Sequence, residues 1–171
     1  HITRDMAKTF IYAFLLGAGT AKVSQILKTN HKQAKQAVNN FMESISGLSR
    51  LKKKVVPQIA SNGYFRGYDD RKVKVPSEHK TLAGMLQNGE STIMKHATRK
   101  WINWGNKEGI AFKLVTWPHD EWQTEVIGSR DSAERLGAIQ RKSIESVGVE
   151  LGLSCPLAGS TSIGKSWLDT H

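Results

Sequence analysis

Phe10 and Phe14 stand one helical turn apart, and the polar positions around them keep the same period. The spacing predicts an amphipathic helix over residues 4–17. Thr3 is its N-cap, Asp5 lies in its first turn, and Gly17-Ala18-Gly19-Thr20 ends it. With the two phenylalanines facing a core, Arg4, Lys8 and Tyr12 form one outward stripe at i, i+4 and i+8. A short helix is predicted from Ala21 to Leu27. Thr29-Asn30 opens a longer one, from His31 to Gly47 or beyond and into Lys52-Lys53-Lys54, and Pro57 and Asn62-Gly63 break the pattern.

The period then changes. Residues 63–75 read as a strand pair or extended loop, with Lys72-Val73-Lys74-Val75 alternating. Pro76-Ser77-Glu78 leads into a long helix at about 79–104, whose apolar face holds Leu82, Met85, Leu86, Ile93, Met94 and Ala97. Ile110 to Trp117 and Trp122 to Ile127 are two short strands around Pro118-His119-Asp120-Glu121, a β-hairpin with the acidic residues at its tip. Asp131 to Gly148 is another amphipathic helix, and Leu153 to Leu157 a final strand. The expected fold class is α+β.

Charge changes the picture more than composition does. A net charge of +10 over 171 residues points to a polyanionic partner. Residues 1–114 carry 20 Lys/Arg against 7 Asp/Glu, whereas residues 115–171 carry 5 against 8. A basic first two-thirds suits a nucleic-acid grip and an acidic remainder suits metal binding, although a solvated basic surface would show the same imbalance. The longest apolar run, Phe10 to Ala18, is too short for a bilayer, and no membrane partner is expected. The lone Cys155 excludes an intrachain disulfide, fits a reducing cytosol, and reads as a small buried apolar residue.

Two cations followed by an aromatic ring on one helix face could hold a nucleoside triphosphate, the cations on the phosphates and the ring beside sugar and base. The run Arg4-x3-Lys8-x3-Tyr12, followed by Gly17, resembles the finger helix of family A DNA polymerases, and His119-Asp120-Glu121 resembles their palm carboxylate motif. The nearest resemblance is to the replicative polymerases of tailed bacteriophages. It implies a helical fingers subdomain over 1–109, including the long helix, and the C-terminal part of an antiparallel palm sheet over 110–171. Arg4 and Lys8 would take the incoming triphosphate, Lys8 would protonate the leaving pyrophosphate, and Tyr12 would lie beside the sugar. Asp120 would be a ligand of two Mg²⁺ ions, with Glu121 supporting it. His79 and Gln87 of the long helix would contact the primer-template minor groove, where acceptors are shared by all base pairs. His119 belongs with the DNA contacts. Arg71 would reach a backbone phosphate, although a structural ion pair fits it equally. His171 matches the family's terminal His near the active site.

The resemblance also implies partners: primer-template DNA, deoxynucleoside triphosphates, and a portion carrying the first palm aspartate and the thumb, with or without an exonuclease. None of these portions matches residues here, so the chain is expected to be the C-terminal part of a divided or truncated polymerase, inactive alone and acting in the cytoplasm, a host's if it is of phage origin. Leu16 replaces an aromatic residue of the family, Ala13 a glycine and Ala83 an asparagine, which bears on fidelity rather than on reaction class. The alternatives are a catalytically silent DNA-binding accessory derived from such an enzyme, and a metal-dependent nuclease using Asp120 and Glu121.

Overall fold

The computed structural model describes residues 3–170. The first helix, α1 (Arg4–Leu15), is capped by Thr3, whose hydroxyl accepts the Met6 N–H at 3.2 Å. It stops through two reversed bonds: Gly17 N–H to Phe14 O at 3.2 Å and Ala18 N–H to Ala13 O at 2.8 Å. This paired closure needs a left-handed residue, which Gly17 supplies at φ +86°.

Three helices come after it, α2 (Thr20–Ile26), α3 (His31–Ser44) and α4 (Ser46–Arg50), the run expected to pass Gly47 being interrupted at the non-helical Ile45. A π turn over Leu51–Val55 then leads into α5 (Val56–Asn62). Pro57 does not break the chain here, contrary to the sequence expectation. The turn loosens instead, so that Val56 N–H bonds Leu51 O five residues back, and Pro57 falls in the first turn of α5, where its missing N–H costs least. Of the strand pair and the extended loop expected over 63–75, the strand pair is present: β1 (Tyr64–Arg66) and β2 (Lys72–Lys74) form a β-ribbon that pairs Phe65 with Val73.

The 30-residue α6 (Glu78–Lys107) comes next. It is followed by the hairpin of β3 (Ala111–Thr116) and β4 (Gln123–Ile127), by α7 (Arg130–Glu150), and by a terminal turn, α8 (Trp167–Thr170). The chain divides into two compact units, His1–Asn88 and Gly89–His171, with the boundary inside α6. In the first, Phe10, Val23 and Ala34 form a core with Phe41, whose ring stands edge-on to Phe10 and Phe14, each at 5.4 Å between centroids. In the second, Trp101, Ile110 and Leu136 form the core, packed by Phe112, Trp122 and Val126. Gly105 brings α6 and β3 close, since a Cβ there would meet Phe112 at 2.7 Å.

Two further expectations are corrected. Residues 153–157 form no strand. They leave α7 through a bond from Leu153 N–H to Gly148 O and continue without a strand partner among the described residues. Leu157 packs on α7 instead, lying against Gly148, where a Cβ would come within 3.0 Å. Cys155 is exposed rather than buried, because the chain turns outward between Leu153 and Leu157. Among the described residues, no helix is long and apolar enough to cross a membrane.

Candidate functional site: a cationic helix face and a carboxylate turn

In the first unit, burial of Phe10 and Phe14 at 8% and 3% exposure fixes the rotation of α1. Arg4, Lys8 and Tyr12 therefore share its exposed face, with the Lys8 ammonium 5.9 Å from the centroid of the Tyr12 ring. Leu16 continues the stripe and is exposed as well. The arrangement offers two cations and an accessible aromatic face along about two and a half turns of helix, which matches an elongated anion carrying a ring.

His79 and Gln87 are both exposed on the part of α6 that belongs to this unit. Arg71 is engaged: its guanidinium meets the Asp69 carboxylate at 2.5 Å. Of the two readings left open for it, the ion pair is the one present. The Arg71 hydrogen bond holds the Asp69 carboxyl below its ordinary range, and the same bond raises the guanidinium's own value.

In the second unit, the hairpin β3–β4 pairs Ala111 with Ile127 and Leu114 with Thr124, and then slips. Thr116 faces Gln123, leaving Val115 as the extra residue of a bulge. A bulge bends its strand and re-aims the residues after it. Past Thr116, Glu121 N–H bonds Pro118 O at 3.0 Å, closing a tight turn with His119 at φ +52°. The Trp117 indole braces the turn by donating to His119 O at 2.9 Å.

Asp120 thus lies in the turn and not on a strand, so strand alternation does not separate it from Glu121. Both carboxylates line one cleft of about 730 Å³. Asp120 is exposed and enters none of the ion pairs among the described residues. Glu121 is half-buried and accepts a hydrogen bond from Gln123 Nε2. Adjacent carboxylates opening onto one cleft form an oxygen donor set of the kind Mg²⁺ prefers. The set is incomplete, however. No group of three or more His, Cys, Asp or Glu that could hold a metal ion occurs among the described residues.

Below the turn, the Trp122 indole donates to Thr98 Oγ1 at 2.9 Å, and the Thr98 hydroxyl donates to Met94 O at 2.7 Å, fixing the tip end of the hairpin to α6. Sequence reasoning missed Gln123, Gln140 and Thr170, which line the same cleft. The only sequence signal among them is Ser166-x-x-Asp169, a helix-start pattern that announces α8 just before Thr170. The predicted site residue His171 lies outside the described residues.

Comparison with known proteins reaches across nearly the whole chain. The sequence profile described as DNA polymerase family A matches residues 1–169. The DNA-directed DNA polymerase of Escherichia phage Phieco32 is 31% identical over 176 residues, covering 99% of this chain and 28% of its own length. That of Escherichia phage T7 is 28% identical, covering 99% of this chain and 27% of its own length. The chain therefore spans under a third of the curated relatives it matches. Among solved structures, the POL domain of Pol1 from M. smegmatis, in complex with DNA primer-template and dNTP, superposes with a TM-score of 0.75 at 20% identity. It covers 86% of this chain and 28% of its own. At that identity the match establishes the α+β polymerase-domain fold and nothing finer.

Proposed function

Since the chain belongs to DNA polymerase family A, we propose that it supplies the fingers and C-terminal palm portion of a DNA-directed DNA polymerase. The observation that carries this reading is the coexistence of the exposed Arg4-Lys8-Tyr12 face with a carboxylate-bearing turn at Asp120-Glu121. Residues 1–109 serve as fingers and 110–171 as palm.

Two divalent cations, when bound, activate the primer 3′ hydroxyl and stabilise the attacking and leaving oxygens. Asp120 supplies a carboxylate for them, and Glu121 supports it. Arg4 and Lys8 grip the triphosphate, and the Lys8 ammonium is the proton source for the departing pyrophosphate. Tyr12 orients the sugar. His79 and Gln87 follow the minor groove of the primer-template, His119 contacts DNA beside the reacting end, and Arg71 would have to exchange Asp69 for phosphate. Because Asp120 and Glu121 alone make an incomplete ligand set, a further carboxylate comes from a portion that also grips the duplex. The reaction runs in the cytoplasm, a host's if the chain is of phage origin.

Primer extension with Mg²⁺ tests the proposal. The 171-residue chain alone should bind duplex weakly, with salt-sensitive affinity, and extend nothing. Combined with a polymerase portion bearing the remaining aspartate and thumb, it should extend the primer. Extension by the chain alone would overturn the shared-site reading, and no extension by the combination would overturn the polymerase assignment.

A further inference from the structure

Glu121 is held from one side by a side chain that is itself held from the far end of the chain. Gln123 Nε2 donates to Glu121 Oε1, and the Gln123 carbonyl oxygen lies 3.4 Å from Thr170 Oγ1. All three residues line the cleft that contains Asp120. We infer that Gln123 is a positioning residue for the Glu121 carboxylate, and that Thr170 on α8 sets the direction in which the Gln123 amide points. The inference rests on the polymerase reading for its consequence in catalysis, but its geometry stands apart from it.

The two ends of a glutamine amide differ in function while nearly matching in shape. An ionised carboxylate only accepts, so the NH₂ end must face Glu121. The carbonyl end then faces the Thr170 hydroxyl, and two oxygens at hydrogen-bond distance require a proton between them. That proton is the hydroxyl's own. It has competing acceptors in Trp167 O at 3.1 Å and Ser166 O at 3.5 Å, so the hydroxyl is shared between its own helix and the site. A turned-over amide would set its carbonyl against the carboxylate, which is the arrangement this network resists.

Thr170 can do this only because α8 is fixed. Asp169 Oδ2 accepts Lys165 N–H at 2.9 Å, Ser166 N–H at 3.0 Å and the Ser166 hydroxyl at 3.0 Å, which ties the start of the helix to its third residue. Gly164 leaves room for this fold-back, since a Cβ there would collide with Asp169 Cβ. The cleft also holds the buried Gln140 Nε2, which has no hydrogen-bond partner among the described residues. The Gln123 amide is neutral, so its hydrogen bond orients the Glu121 carboxylate without neutralising the charge a metal needs.

The test compares Gln123→Leu, Thr170→Val and Thr170→Ser in a polymerase that carries residues 1–171 together with the remaining catalytic portion. Gln123→Leu and Thr170→Val should raise the Mg²⁺ concentration for half-maximal extension roughly two- to ten-fold, the equivalent of one net hydrogen bond, with the nucleotide KM unchanged. Thr170→Ser keeps the hydroxyl and should restore the wild-type metal dependence. Unchanged metal dependence in Thr170→Val, or a Ser variant as impaired as Val, would overturn the inference. A second measurement needs no activity. In the ¹⁵N-labelled 171-residue chain, the Gln123 side-chain amide protons should exchange with water faster in Thr170→Val than in wild type. Equal exchange would overturn the inference even if the polymerase assignment stands, and a slowed wild-type amide would support it even if no primer were extended.

Discussion

The left-handed Gly17 passes so close to His79 that a Cβ on it would stand 2.7 Å from the His79 carbonyl oxygen. One glycine therefore both ends α1 and lets the start of α6 lie against it. The helix bearing Arg4, Lys8 and Tyr12 is thereby located relative to the turn that precedes Gln87.

Gly17→Ala should consequently be costly for a surface loop. The left-handed backbone alone penalises an L-residue by roughly 1–2 kcal/mol, and contact with a backbone carbonyl adds to it because backbone cannot step aside as a side chain can. Urea unfolding should show the loss. A midpoint within error of wild type would mean that α1 and His79 are not in contact.

Asp120→Asn keeps the shape of the side chain and removes a negative charge. In the assembled polymerase the loss should be at least about 100-fold, by analogy with removing one preorganised electrostatic group. Glu121→Gln should cost less, because its carboxylate is assigned a supporting role. Single-turnover primer extension measures both, and a reversed order would exchange the two roles.

Tyr12→Phe should raise discrimination against dideoxynucleotides while leaving normal incorporation within a few-fold. The phenolic OH can fill the hydrogen-bonding place that a missing 3′ hydroxyl vacates, and Phe cannot. An unpaired polar group costs about 1–3 kcal/mol, which is roughly five-fold to over a hundred-fold in rate. Competition between a dideoxynucleotide and its normal counterpart reads this directly. Equal termination by both enzymes would remove Tyr12 from the sugar.

The start of α8 should loosen in acid. Hydrogen bonds from the Ser166 hydroxyl and from the Lys165 and Ser166 N–H groups hold the Asp169 carboxyl below its ordinary range. A depressed folded value means that the stabilisation is complete above the ordinary carboxylate value of about 3.9 and disappears as pH falls through the lowered one. The Trp167 indole resonance, followed downward from about pH 6, should shift only below that range. Asp169→Asn should abolish the shift, and Gly164→Ala should displace the resonance at every pH by crowding Asp169.

Much of the architecture was legible because it is local. The Phe10–Phe14 pair fixed which face of α1 is wet, and the two strands around Pro118 named the second hairpin, whereas the alternation through Val73 left a strand pair and an extended loop both open. The failures arose where a pattern needs a neighbour. Leu153 and Leu157 have the composition of a strand, but strand character exists only with a pairing edge; among the described residues they have none, and Leu157 lies against Gly148 of α7 instead. The bulge at Val115 carries no composition signal, although the place of Asp120 at the hairpin tip was legible from the two flanking strands. Gln123 looks like any polar strand residue, since its role depends on Thr170, 47 positions away. Cys155 shows the converse error, where an average burial preference gave way to a local outward turn.

The hairpin is also its own optical label. Trp122 adjoins Glu121, and its ring lies 5.7 Å from that of Trp101 at an interplanar angle of 58°. Two indoles so close and so tilted should couple their strong far-ultraviolet transitions into a signed circular dichroism couplet belonging to the contact between hairpin and α6. Trp117, on the other side of the turn, is bonded to His119 O rather than to the core. Any event that moves the turn should alter its emission while leaving the coupled band in place, so docking of the hairpin and motion at its tip can be watched separately without adding a dye.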